Sequence, residues 1–139
     1  MPGVFAKLNL GPAVEVVVLE APASFGKELA ALGKVKVARA AKGVKQVAFA
    51  LIFVTAKNQI GPLWKSVLPK AVGDAVIWFA YPKGTSKRYA SDLNRDHGWD
   101  AIRESGWDTV RQIAIDEDWS ALRFRRTEFI SRRPAPAKT

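Results

Sequence analysis

The chain has 139 residues, 48% of them hydrophobic and 25% charged, which suits one soluble domain built round a single core. It has no cysteine and one histidine, His97, so disulfides, thiolate zinc sites and multi-histidine metal clusters are excluded. The formal net charge of +9 would attract polyanions without specificity, while no apolar run reaches the roughly 18 residues of a membrane span.

The first segment, "MPGVFAKLNLGPAVEVVVLEAP", has no basic region ahead of its apolar run, which Glu15 and Glu20 flank. That argues against a signal peptide and for a cytoplasmic protein. "AVEVVVLEAP" (13–22) reads as a buried strand closed by Ala21-Pro22. In "SFGKELAAL", Phe25, Leu29 and Leu32 fall at helical spacing, with Ser24 as cap and Gly33 as terminator. "KVKVARA" alternates Val35 and Val37 against Lys36 and Ala38, the pattern of a strand with one exposed face. "QVAFALIFVT" is apolar without alternation, as a strand covered on both faces of a parallel sheet must be. "AKNQIGPLWKSVLPK" predicts a helix in two pieces, broken at Gly61-Pro62. "DAVIWFAYP" is a second central strand, with Trp78 and Phe79 on opposite faces. "NRDHGWDAIRESG" then predicts a helix capped by Asn94, with Trp99 and Ile102 inward and Gly106 at its end. Trp64 and Trp107 stand beside element boundaries as core or core-edge residues. "TVRQIAID" and "SALRFRRTEFI" around Glu117-Asp118-Trp119 read as an antiparallel hairpin.

Strand and helix alternate three times before the hairpin, which predicts an α/β fold. Its form is a three-layer Rossmann-like sandwich, with a mostly parallel sheet of five to six strands ending in the hairpin. Residues 1–130 form this one domain, and "SRRPAPAKT" leaves 131–139 as a disordered basic tail.

The order of elements resembles the Rossmann-like fold of the S-adenosylmethionine-dependent methyltransferases, with about one βα unit missing. Separately, "WFAYPKGTSK", "NRDHGW" and "VRQIAIDEDWSALRFRR" resemble a family of small bacterial proteins known as a domain of unknown function, over about Phe5 to Ile130. That second resemblance implies no activity. The first implies a glycine-rich turn after the first strand, yet "LEAPASFG" places Ala21 and Pro22 there, and Pro22 has no N–H to donate. It also implies an acid for the ribose hydroxyls at the end of the second strand, where Arg39 and Ala40 stand instead. With both determinants missing, no cofactor is predicted, and S-adenosylmethionine is disfavoured.

In such a sheet ligands bind outside the carboxyl ends of the strands. Tyr81 to Lys87 leave a central strand at that edge. There Lys83, Gly84, Thr85, Ser86 and Lys87 combine close backbone approach, hydroxyls and ammonium groups, the ingredients of an anion site. Asn94, Arg95 and Asp96 would open the next helix there, its positive end facing the anion. His97, with a pKa near neutrality, is the one acid/base candidate. Asp116, Glu117 and Asp118 at the hairpin tip could bind a divalent ion, but ion pairing with Lys83, Lys87, Arg88 or Arg95 is favoured, and no metal is predicted. Trp99 and Trp119 adjoin the edge as stacking surfaces.

The resulting expectation is a small anionic or nucleotide-like ligand at the carboxyl edge. The alternatives are a degenerate methyltransferase relative, or a module that binds nucleic acid or a protein partner. Lys36, Arg39, Lys42, Lys45 and the tail would serve nucleic acid. No membrane partner is expected, and no nucleophile–base pair identifies an enzyme.

Overall fold

A computed structural model describes residues 4–8, 15–33, 35–87, 89, 91–94 and 98–130. Six strands form one sheet: β1 (Glu15–Leu19), β2 (Lys36–Ala38), β3 (Val47–Phe53), β4 (Ala71–Pro82), β5 (Trp107–Ala114) and β6 (Trp119–Arg126). Their order across the sheet is β2-β1-β3-β4-β6-β5. β1 pairs in parallel with β2 and β3, and β3 with β4. β6 runs against both its neighbours, β4 and β5. This is the α/β sandwich, mostly parallel and closed by a hairpin, that the alternation of elements predicts.

The burial of β3 explains why its sequence does not alternate. It lies between β1 and β4, and all but one of its residues are buried. Successive residues of β4 feed two separate cores: Ile77, Phe79 and Tyr81 enter one, and Trp78 and Ala80 the other. α3 (Lys57–Val67) and α4 (Asp100–Glu104) cover the first face through Ile60, Trp64, Val67 and Ile102. Phe5 and Leu8, in and just after α1 (Val4–Lys7), cover the second, together with Phe25 of the single 3-10 turn before α2 (Gly26–Ala30). Leu8 is pinned there because its carbonyl accepts the Trp78 indole N–H at 2.7 Å.

Three local expectations fail. Gly61-Pro62 does not break α3, which runs through Pro62. The ring removes one hydrogen bond, to the Asn58 carbonyl, but both residues are exposed and water can serve that oxygen. The buried Ile60, Trp64 and Val67 keep the helix on the sheet. Ser24 caps nothing, for the chain enters a 3-10 turn at Ala23 with no side-chain cap. The helix expected from Asn94 onward is only the five residues of α4, capped by Trp99 without a side-chain bond. Gly106 ends it in the left-handed conformation, at φ +92°.

Candidate functional site

The exits of β1, β3 and β4 lie at one rim of the sheet. Because β6 is antiparallel, the β5–β6 turn lies there too. Pro82 pairs with Trp119, and the Lys83 N–H donates to the Asp118 carbonyl at 2.8 Å. Tyr81 and the acidic turn therefore share an edge.

That half of the rim is already bonded to itself. The Ser86 hydroxyl donates to the Asp118 carboxylate at 2.9 Å and accepts the Tyr89 N–H at 3.2 Å. Asp116 Oδ1 accepts the N–H groups of Asp118 and Trp119 at 2.8 and 2.9 Å, so its carboxylate shapes the turn. No cluster of metal-ligating side chains occurs among the described residues. Lys83, Gly84, Thr85 and Lys87 stand at or near the surface of the loop.

The aromatic residues expected to stack on a ligand are core residues. Trp99 is completely buried against Phe79, Tyr81 and Phe124, and its indole N–H donates to the Asn94 carbonyl. Trp119 is wedged between Phe53 and Tyr89, its indole nitrogen buried without a partner. Tyr81 is buried and its hydroxyl accepts from Gln112 at 2.6 Å. Neither indole face is open to a planar group, because the sheet's end is closed by hydrophobic burial.

Asn94 is exposed and caps no helix. Arg95, Asp96 and His97 lie outside the described residues. The glycine that follows them is structurally required. Gly98 sits at φ +104°, and a Cβ there would lie 2.3 Å from Leu93 Cδ2.

Two features at this rim escape sequence reasoning. Asp92 accepts the Lys57 N–H at 2.9 Å, placing a carboxylate at the start of α3, the one long helix that begins here. Gln59 Oε1 takes the neighbouring N–H groups of Thr55 and Ala56 at 2.6 and 3.2 Å. The positive end of α3 is thus occupied by the chain's own oxygens. Asp92 and Lys57 are 35 residues apart, and no local pattern links them. The second feature is Glu20, directly after β1, which adopts φ +60°. It is the one non-glycine residue with positive φ among those described, in a region costing a side chain about 1–2 kcal/mol.

Glu20 lies at the switch point of the sheet, where β2 and β3 depart to opposite sides of β1. A cleft of about 250 Å³ opens between the start of α2 and the β5–β6 turn. Glu28, Asp116, Glu117 and Asp118 outnumber Lys27 along its walls, so it favours a cation. The basic residues suggested for nucleic acid are not gathered at this rim. Lys36 and Lys45 line a larger cleft at the opposite edge, where Lys36 pairs with Glu15 at 3.7 Å, and Arg39 follows the other end of β2.

No family model and no curated protein sequence matches the chain. Solved structures do share its fold. An S-adenosylmethionine-dependent methyltransferase from Aquifex aeolicus superposes with a TM-score of 0.53 at 11% identity, over 88% of this chain and 87% of its own. The fibrillarin pre-rRNA processing protein of Methanococcus jannaschii gives 0.52 at 11%, over 85% and 68%. The N-methyltransferase NodS of Bradyrhizobium japonicum, in complex with S-adenosyl-L-homocysteine, gives 0.51 at 16%, over 88% and 84%. At such identities the common property is the fold: a methyltransferase-type Rossmann sandwich.

The expectation that S-adenosylmethionine is disfavoured is corrected by these neighbours, one of which holds the demethylated cofactor. That expectation rested on residue types in the turn after β1 and at the end of β2, where Arg39 and Ala40 stand in place of an acid. In that turn Glu20 takes the left-handed step without a glycine.

No described helix is long and apolar enough to cross a membrane.

Proposed function

We propose that this chain is a small relative of the S-adenosylmethionine-dependent methyltransferases that binds an S-adenosyl ligand at the β1/β3 switch point. The observation that carries the reading is Glu20 held at φ +60° directly after β1, in a sheet with the methyltransferase strand order less one strand. Strained backbone persists where the surrounding structure enforces it, and such positions cluster at ligand sites.

The residues present suit the ligand in part. The exposed Glu20 would supply the ribose-hydroxyl acceptor that the end of β2 lacks. The carboxylate-rich cleft beside Ser24 and Phe25 favours the cationic sulfonium and ammonium groups over a phosphate. Lys83, Thr85 and Lys87 are then peripheral, and the small anionic ligand expected from their sequence gives way to an adenosyl one. When bound, S-adenosylmethionine supplies an activated methyl group. The chain's own residues bind and orient it, and no general base is assigned. The small bacterial family that the sequence resembles would share this reading.

Isothermal calorimetry with S-adenosyl-L-homocysteine tests it. The wild-type chain should bind, Glu20→Ala should bind at least about tenfold more weakly, and Lys83→Ala with Lys87→Ala should bind normally. Absence of heat at millimolar ligand would remove the proposal.

A further inference from the structure

On the second face of the sheet, away from the rim, three guanidinium groups are gathered by register. Arg111 of β5 and Arg123 of β6 are direct cross-strand partners, and Arg125 follows two residues along on the same face. Like charges directly opposite one another in a sheet are destabilising. The neighbouring carboxylates offset the conflict only in part, Asp74 favouring the Arg123 charge from a distance. Asp74 is taken by Arg125, whose Nε donates to Oδ1 at 2.7 Å and whose Nη2 donates to Oδ2. Asp108, opposite Arg125, accepts instead from Arg103 at 3.2 Å. Arg123 is left with a buried Nε that has no hydrogen-bond partner. Its burial and the charge of Arg125 both make the guanidinium easier to deprotonate than usual. A half-buried cation among its own kind is an arrangement that an external anion would relieve.

We infer that the Arg111–Arg123–Arg125 face docks the phosphate backbone of a double-helical nucleic acid. Arginine forks match phosphate oxygens in pairs. Arg125 already gives Nε and Nη2 to Asp74, so Arg111 and Arg123 carry the docking and Arg125 borders it about 7 Å further along β6. Trp78, Trp119 and the phenylalanines of this face are buried and the half-buried Tyr89 packs on Trp119, so unstacked bases find little platform and a single strand gains little. A second copy of the chain is disfavoured as the occupant, because each copy carries +9. The inference is independent of the adenosyl site.

The test is fluorescence anisotropy of the full-length chain with a 20-base-pair DNA duplex across a salt series. Binding should weaken steeply with salt. Arg111→Ala, an exposed position, should reduce the slope of log K against log salt by about 1. Arg111→Ala combined with Arg123→Ala should weaken binding at least tenfold at 50 mM salt. Arg123→Lys should retain most of the affinity, since it keeps the charge. The melting temperature of the double variant should hold or rise, because a repulsion is removed. Arg132→Ala with Arg133→Ala, in the tail, separates tail binding from face binding. Four outcomes would each overturn the inference: no salt-dependent binding, an unchanged slope in Arg111→Ala, loss confined to the tail variant, or binding to single strands or anionic vesicles instead of duplex.

Discussion

The two halves of the carboxyl rim differ in what they leave open. Around β4 and β6, hydroxyl, carboxylate and backbone groups are matched to one another: Ser86 with Asp118, Asp116 with its own turn, Asp92 with the start of α3. Beneath them Trp99 and Trp119 are packed into the two cores. Around β1 the chain holds an exposed carboxylate, Glu20, in a strained conformation. Polar residues that look like a site in sequence are, in the first half, the fastenings of a loop. In the second half, where the sequence looks unpromising, the backbone takes a costly positive φ at Glu20. Backbone strain of that kind is the observation on which the proposed site rests.

The sharpest way to break this contrast is Trp99→Ala. A buried indole packed on Phe79, Tyr81 and Phe124 should cost about 3–5 kcal/mol in urea denaturation. A loss under about 1 kcal/mol would return Trp99 to the surface role first expected of it. Gly98→Ala comes next, at about 1–3 kcal/mol, because the position combines φ +104° with a close approach to Leu93. Asp92→Ala should cost about 1 kcal/mol through the lost contact at the start of α3. Glu20→Gly should do the opposite, raising stability by a few tenths of a kcal/mol to about 1 as the left-handed strain is relieved. It should weaken adenosyl binding at the same time. A stabilised variant that binds normally would show the strain to be incidental.

The smallest effect expected is electrostatic. Hydrogen bonds from Arg125 hold the Asp74 carboxyl below its usual range. A depressed carboxylate pKa adds stability above its unfolded value, near 4, and loses it as the pH falls through the folded value. Asp74→Asn should therefore melt slightly lower than wild type at neutral pH, and the gap should close under strongly acidic conditions. The pair is exposed, so the neutral-pH difference is small.

Much of the fold was legible in the residues, for identifiable reasons. The unbroken apolar run in β3 can only be satisfied between two strands and two layers, and the period of two in β4 assigns Trp78 and Phe79 to opposite cores. Local rules failed where tertiary packing outweighed them. Pro62 did not break α3, because three buried side chains hold that helix to the sheet. The site was less legible. Chain direction correctly brings Tyr81 and Asp116 to one rim, but composition cannot show whether a hydroxyl or carboxylate is already bonded to the chain. The link from Asp92 to Lys57 and the backbone angle of Glu20 leave no mark on residue type. The arginine face was hidden because its meaning lies in cross-strand register, which sets Arg111 opposite Arg123 and leaves a nitrogen unpartnered.

Amide chemical-shift mapping during titration with S-adenosyl-L-homocysteine puts the difference between the two half-rims most directly to the test. The account predicts saturable shifts concentrated at Leu19–Glu28, Val54–Ala56 and Ile115–Asp118, with Lys83–Lys87 little changed. Shifts centred on Lys83–Lys87, or a spectrum indifferent to the ligand, would contradict it.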